Sequence, residues 1–244
     1  MSKRESNSGI GSLRTSLLLI ALFMSGCAAT REDSPDSRSW IPNEAWWIAA
    51  GDSGGELFTP TGSIRRVDAV HARNLYEVSR KIREQSGIAA HIVLVDSRAL
   101  NAFATEVEGE RRIGLTLEFL QAIGDDPDAL ATSIGHEAAH LHYRHGATRK
   151  ERNQPIIGTA SAIAGIIAVN TSFSRYEERE ADIKGMEWAI AAGFSPCGSA
   201  RTLRMLEARA RVTGSDPFLA THPDHRERIA RANTLSRKLT GSEC

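Results

Sequence analysis

The residues with the clearest potential for chemistry are the histidines and the glutamate of His136-Glu137-Ala138-Ala139-His140, which read H-E-x-x-H. Positions four apart lie on one face of a helix, so both imidazoles can bind one metal ion. Glu137 lies beside them and can take a proton from a metal-bound water. Zn²⁺ suits imidazole ligands, and a catalytic zinc keeps one position open. The pattern predicts a catalytic site with one Zn²⁺ per chain, and the alternative is a solvated helix that carries these residues by chance.

The residues around the motif predict the helix that must position it. Asp125 or Asp126 can cap its N-terminus, and Pro127 fits its first turn. We expect this helix to run to about Arg144. Apolar residues recur along it at helical spacing, namely Ala129, Leu130, Ile134, Ala138 and Leu141.

A catalytic zinc needs a third protein ligand. A third histidine of the H-E-x-x-H-x-x-G-x-x-H type is excluded, because Tyr143 and Gly146 stand where glycine and histidine are required. A glutamate on a later helix is the other solution, and Glu178 and Asp182 lie four apart on a helix predicted over residues 174–192. Glu178 can bind the metal while Asp182 accepts a hydrogen bond from the back of a ligand imidazole. A charged, solvated helix face stays open as the alternative.

The rest of the chain predicts a mainly α fold with one small β-sheet beside the H-E-x-x-H helix. Apolar spacing predicts further helices over residues 64–85, 116–123, 200–211 and part of 223–239. Alternating or β-branched runs predict strands at residues 91–95, 105–107 and 112–115. Three tryptophans are expected to be packing anchors, namely Trp40, Trp46 and Trp47.

The N-terminus has the pattern of a targeting segment. Lys3, Arg4 and Arg14 precede a short apolar core over residues 17–24, which is too short for a stable membrane span. The following Ser-Gly-Cys resembles a bacterial lipoprotein signal, which implies cleavage before Cys27 and lipid on that residue. An ordinary secretory signal is the alternative. We therefore expect a signal peptide over residues 1–26, a lipidated Cys27 with a flexible tether over residues 27–39, and one domain over residues 40–244.

Charge and cysteine content limit the remaining function classes. The chain has 30 basic and 30 acidic residues, so no broad basic surface predicts a nucleic-acid partner. Cys197 and Cys244 are the cysteines left after Cys27, and an oxidising compartment favours a disulfide between them over two free thiols. Residues 155–169 are apolar but too few to cross a bilayer, so they predict a buried helix rather than a membrane dip.

Four sequence motifs of one known protein family occur in order along the chain. They are Asn101-Ala102-Phe103-Ala104, H-E-x-x-H-x-x-x-x-H from His136 to His145, S-R-x-x-E-x-E-A-D from Ser174 to Asp182, and Thr221-His222-Pro223 with Arg228-Ile229. Together they resemble the zinc metallopeptidases of the HtpX and CAAX-prenyl-protease family, in its periplasmic, lipid-anchored, LoiP-like branch. This resemblance implies an α+β, zincin-like fold.

The resemblance also implies roles for individual residues. It assigns His136, His140 and Glu178 to Zn²⁺, Glu137 to the general base, and Asp182 to a hydrogen bond that supports a ligand histidine from behind. Glu180 and His145 occupy family positions outside the metal's ligand set, and His142 matches none. His222 and Arg228 match a family pair near the site, where one can stabilise an oxyanion or His222 can fill the open metal position in a latent form. A turn and an exposed helix arginine are the alternative for this pair.

The resemblance implies a zinc-dependent endopeptidase at the periplasmic face of the bacterial outer membrane, tethered there by lipid on Cys27. Its substrates would be misfolded or misassembled envelope proteins or peptides, bound extended along an edge strand near residues 101–104. Outer-membrane assembly factors are candidate partners. Two rival functions stay open: a non-catalytic chaperone or assembly factor that uses the same groove, and a structural metal protein whose site is closed by His222.

Overall fold

The computed structural model describes residues 30–31, 39–58, 62–107, 109–146, 173–213, 218, 222–223 and 225–244. Seven helices run through this part of the chain. They are α1 (Glu44–Ser53), α2 (Ala69–Ser86), α3 (Leu117–Ile123), α4 (Pro127–His142), α5 (Arg175–Ala191), α6 (Cys197–Thr213) and α7 (His225–Thr240). Helices predominate, which confirms the predicted mainly α class.

Two sheets accompany the helices. The strands are β1 (Thr30–Arg31), β2 (Ser39–Ile41), β3 (Gly55–Phe58), β4 (Ile64–Val67), β5 (His91–Val95), β6 (Ala102–Val107) and β7 (Glu110–Thr116). The larger sheet has the order β1-β2-β5-β7-β6, in which β5 and β7 are parallel and the other neighbours are antiparallel. Strand β6 therefore forms one edge of this sheet. The second sheet pairs only β3 with β4 and was not expected from the sequence.

The prediction of a helix over residues 64–85 was wrong at its start. Ile64–Val67 is strand β4, which pairs antiparallel with Gly55–Phe58. The helix begins only at Ala69, because the Asp68 side chain accepts a hydrogen bond from the Val70 amide and caps it. Gly87 ends it in the left-handed conformation, with φ 67°. Cross-strand pairing, which local periodicity cannot show, decided the conformation of β4.

Helix α4 lies at the centre of the fold, where it contacts α2, α5, α6 and strands β6 and β7. The Asp126 side chain caps it by accepting hydrogen bonds from the amides of Asp128 and Ala129. Arg201 of α6 donates to both Asp126 oxygens at 2.7 and 2.8 Å, which fixes this cap to the next layer of helices. Because α4 is buried along most of its length, its side chains have few alternative positions.

The sequence predicts both the end of α4 and the burial of three tryptophans. Helix α4 ends at His142, within two residues of the predicted end, and Arg144 then adopts a positive φ of 56° that an α-helix cannot continue. The three tryptophans are buried, as predicted for packing anchors, at 3 to 5% exposure. None of the described helices is long and apolar enough to cross a membrane.

Cys197, the first residue of α6, forms a disulfide with Cys244, the last residue of the chain. Ser236 of α7 lies beside this bridge, with its hydroxyl 3.6 Å from Cys197 Sγ. The disulfide therefore ties the end of α7 to the start of α6. The apolar segment over residues 155–169, the predicted signal peptide and Cys27 all lie outside the described residues.

Candidate metal centre

A close approach of two helices builds the candidate site. Gly135 of α4 and Gly185 of α5 face each other, and a Cβ atom on Gly135 would lie 2.7 Å from the Gly185 carbonyl oxygen. A Cβ on Gly185 would lie 2.6 Å from the backbone nitrogen of His136. Glycine at both positions therefore lets the helices touch beside the first histidine of the motif. This pair was not predicted from the sequence, where its only signal was two glycines inside strong helix patterns.

Helix α5 presents two of its carboxylates, Glu178 and Asp182, on the face toward α4. A capping box starts this helix, in which Ser174 and Glu177 each satisfy the backbone of the other. Glu178 and Asp182 follow four residues apart and are only 1 and 4% exposed. Gly185 continues the same face. The alternative of a charged, solvated face is therefore wrong for these two residues.

Four donors converge where α4 and α5 meet. The Nε2 atoms of His136 and His140 lie 3.0 Å apart. Glu178 approaches both, with Oε2 3.5 Å from His136 Nε2 and Oε1 3.4 Å from His140 Nε2. His222 completes the group, with Nδ1 2.9 Å from Glu178 Oε1 and 3.4 Å from His136 Nε2. All four residues are buried.

These spacings fit a zinc ion. Four ligands at the usual Zn–N and Zn–O lengths, arranged as a tetrahedron, lie about 3.3 Å from one another. The donor distances of 2.9 to 3.5 Å cluster around that value. Nitrogen and carboxylate donors together are also the set that zinc prefers over magnesium or calcium. His136, His140, Glu178 and His222 can therefore hold one Zn²⁺.

Asp182 and Arg228 lie behind the first histidine. Asp182 Oδ1 is 3.1 Å from His136 Nδ1, so this carboxylate can hold the proton on Nδ1 and leave Nε2 for a metal. Arg228 of α7 donates to both oxygens of Asp182 at 2.6 and 3.0 Å, and its Nη1 lies 2.9 Å from Glu178 Oε2. Arg228 is 3% exposed. Its guanidinium is thus engaged by the two carboxylates rather than directed to solvent.

His145 and Glu180 lie behind His140, the second histidine of the motif. His140 Nδ1 is 2.9 Å from Nδ1 of His145, and His145 Nε2 is 3.3 Å from Glu180 Oε2. The Tyr176 hydroxyl donates to the other oxygen of Glu180 at 2.9 Å. His145 is buried, whereas His142 is exposed beside Tyr143 and Trp188. Glu180 is not among the four converging donors.

Glu137 is buried and lies next to the four donors. It is 1% exposed, and neither carboxylate oxygen has a hydrogen-bond partner among the described residues. The Nε2 atom of His222 lies 3.7 Å from Glu137 Oε1. Burial raises the pKa of Glu137 above its usual value. A buried carboxylate without a partner needs an explanation, and a water molecule on a bound metal would supply the missing hydrogen bond.

The three buried carboxylates of the site, Glu137, Glu178 and Asp182, differ in their pKa values because burial and charged neighbours affect them to different extents. Burial alone would raise the pKa of Glu178, but His222 and Arg228 outweigh it and hold this pKa well below the usual value. Burial likewise opposes the ionisation of Asp182, yet Arg228 lowers its pKa to about 2. Burial also lowers the pKa of His140 well below its usual value. An ionised Glu178 and a neutral His140 are the states in which these two side chains can bind a metal ion.

His222 is held in this arrangement by its own contacts. Its ring stacks on Phe218 with the ring centres 4.4 Å apart, and its backbone amide donates to the Phe218 carbonyl at 2.8 Å. The side chain is 1% exposed. The structure therefore shows His222 inside the donor cluster and Arg228 on the far side of Asp182. Neither residue is the exposed turn or helix position of the alternative interpretation.

Strand β6 lies at the edge of the larger sheet in the described part of the chain. It contacts α4, and β7 is its one strand neighbour in the described part of the chain. Asn101, just before β6, is buried, and its backbone amide donates to Thr116 Oγ1 at 3.1 Å. Phe103 packs over Gly114 of β7. The predicted edge strand is thus confirmed within the described residues, among which β6 pairs with a strand on one side only.

Comparisons of the sequence with known proteins identify its family. The model of peptidase family M48 matches residues 70–236, more than half of the chain. Curated relatives include proteins named Beta-barrel assembly-enhancing protease from Escherichia coli O157:H7, Escherichia coli strain K12 and Shigella flexneri. Each is 27% identical over 176 residues, which cover 61% of this chain and 35% of the relative. The chain therefore spans about a third of the length of these relatives. Since the family match includes all four converging donors, the chain belongs to peptidase family M48.

Proposed function

We propose that the chain is a zinc-dependent endopeptidase. The observation that carries the proposal is Glu137, a buried carboxylate without a hydrogen-bond partner among the described residues, next to a donor set of zinc-like spacing. A binding protein has no need of such a base. Membership of a metallopeptidase family supports the same conclusion.

Each residue of the site has its own role in the proposed hydrolysis. Zn²⁺, when bound by His136, His140 and Glu178, supplies Lewis acidity toward a carbonyl and a water molecule. Glu137 takes the proton of the attacking water and returns it to the leaving amine, and its raised pKa suits both transfers. Asp182 holds the Nδ1 proton of His136, and Arg228 holds Asp182 and Glu178 in place.

Substrate binding is proposed along strand β6. An extended peptide can add to the free edge of this strand through main-chain hydrogen bonds, which give affinity without strict sequence selection. Because β6 contacts α4, a peptide paired with it would run past the donor cluster. Such a binding mode suits unfolded segments of proteins, which are the substrates proposed here.

The position of His222 favours a second candidate function. With His222 Nδ1 2.9 Å from Glu178 Oε1, four protein donors surround the site, as in a structural zinc site. In the enzyme, His222 would have to leave before a water molecule and a substrate carbonyl could both bind. The arrangement described here is then the latent form of the site.

One experiment tests the proposed function against its rivals. Unfolded casein is incubated with the full chain and with His222→Ala, each with zinc and with a chelator, and bound zinc is counted. We expect one Zn²⁺ per chain, hydrolysis that the chelator abolishes, and faster hydrolysis by His222→Ala. Stoichiometric zinc with no hydrolysis by either protein would instead support a structural site or a non-catalytic chaperone.

We propose that the protein is anchored in the bacterial envelope by lipid on Cys27, at the periplasmic face of the outer membrane. The lipoprotein-like signal supports this, and so does the name of the relatives, which refers to β-barrel assembly. Misfolded or misassembled envelope proteins are then the substrates, and outer-membrane assembly factors are candidate partners. The LoiP-like branch of the family, which the chain resembles, has this organisation.

The anchor predicts a simple change of location. Cys27→Ser should move the protein from the membrane to the soluble envelope fraction, while casein hydrolysis by the purified protein stays unchanged because the site lies beyond residue 70. Fractionation followed by immunoblotting measures the distribution, and Cys197→Ser in the same strain controls for the loss of a cysteine. Retention of Cys27→Ser in the membrane would place the anchor elsewhere in the chain.

A further inference from the structure

His140 faces a second pair of side chains whose role the proposed mechanism leaves open. Its Nδ1 atom lies 2.9 Å from Nδ1 of His145, and His145 Nε2 lies 3.3 Å from Glu180 Oε2. His140 and His145 are 2 and 4% exposed, so water cannot easily replace the contact between their rings. We propose that His145 and Glu180 are positioning residues, which hold His140 in the tautomer and orientation that bind Zn²⁺.

The chemistry of imidazole fixes the direction of each hydrogen bond. A neutral histidine that offers Nε2 to a metal must carry its proton on Nδ1. His140 Nδ1 therefore donates to His145 Nδ1, which must be unprotonated to accept. His145 then carries its own proton on Nε2 and donates it to Glu180 Oε2. Tyr176 donates to the other oxygen of Glu180 at 2.9 Å and holds this carboxylate at the end of the chain of hydrogen bonds.

The backbone shows how His145 reaches this position. In a continuous helix, residues five apart point about 140° away from each other, so His145 could not face His140. Helix α4 ends at His142, and Arg144 takes a positive φ of 56°. After this turn, His145 lies against the ring of His140, with the two ring centres 5.0 Å apart. Both imidazoles of the H-E-x-x-H motif are thereby supported from behind, His136 by Asp182 and His140 by His145.

The test measures zinc affinity rather than activity, because the inference rests on the proposed zinc site. Full-length His145→Phe keeps a flat ring but cannot accept the proton of His140, whereas His145→Asn can accept it through its amide oxygen. We expect His145→Phe to bind Zn²⁺ about ten- to hundredfold more weakly than wild type in competition with a chelator. His145→Asn should recover much of the loss. The matched control is His142→Phe, which changes an exposed histidine three residues away and should bind Zn²⁺ as tightly as wild type.

The outcomes separate this inference from the proposed function. If wild type binds no stoichiometric zinc, the proposed function fails. If wild type binds zinc and His145→Phe binds it equally tightly, the positioning role is overturned. Equal loss in His145→Phe and His145→Asn also overturns it, because packing and not hydrogen bonding would then be responsible. Should His145→Phe fail to fold, Glu180→Leu carries the test, because leucine cannot accept the Nε2 proton of His145. A zinc affinity equal to that of the control Glu187→Leu, whose side chain is 42% exposed, would then end the proposal.

Discussion

Glu137→Gln is expected to reduce casein hydrolysis by about two to four decades while one Zn²⁺ per chain stays bound. The amide keeps the shape of the side chain but cannot take a proton from water. Folding should tolerate the change, because the carboxylate is buried without a hydrogen-bond partner among the described residues and burial already disfavours its charge. Initial hydrolysis rates and zinc content measure the two effects.

The control for this variant is Glu187→Gln, which removes a carboxylate that pairs with Lys184 on the surface of α5. It should hydrolyse casein like wild type. Hydrolysis by Glu137→Gln at the wild-type rate would rule out Glu137 as the base. Loss of zinc from Glu137→Gln would show that this residue supports the metal site and would make the loss of activity uninformative about proton transfer.

Arg228→Ala is expected to destabilise the zinc-free protein by about 3–5 kcal/mol, because it leaves two buried carboxylates without their cation. Arg228 donates to Asp182 at 2.6 Å and lies 2.9 Å from Glu178, and all three side chains are at most 3% exposed. Urea unfolding in the presence of a chelator measures the change. Arg226→Ala, two residues earlier with its side chain 80% exposed, is the matched control and should change stability by less than about 1 kcal/mol.

The ion pair between Arg228 and Asp182 makes the free energy of unfolding depend on pH. The pKa of Asp182 falls from 3.8 to about 2 in the folded chain, mainly through Arg228 acting against burial. Its ionised form therefore stabilises the fold above about pH 4, and this contribution is lost as the pH falls toward 2. Arg228→Ala should lack this part of the acid dependence. Equal stability losses in Arg228→Ala and Arg226→Ala would contradict the buried ion network.

The H-E-x-x-H spacing and the four-residue separation of Glu178 and Asp182 determine much of the site without any knowledge of the tertiary fold. Both are helical repeats, and a helix places residues four apart on one face whatever surrounds it. Strong local signals also locate most elements, such as the Asp126 cap of α4 and the Ser174–Glu177 capping box of α5. Contacts within one element are set by the local sequence, so the sequence can predict them.

Only the tertiary structure decided how these elements meet. The Gly135–Gly185 contact joins residues fifty positions apart, and no local pattern shows that the two glycines face each other. The pairing that makes Ile64–Val67 a strand, the fourth donor His222 and the burial of Arg228 against Asp182 depend on packing in the same way. The return of His145 to His140 depends on the positive φ of Arg144, a conformation with no clear sequence signal outside glycine. The sequence by itself determined which groups could do the chemistry, and long-range packing decided which of them come together, because burial and contact between distant segments depend on the whole chain.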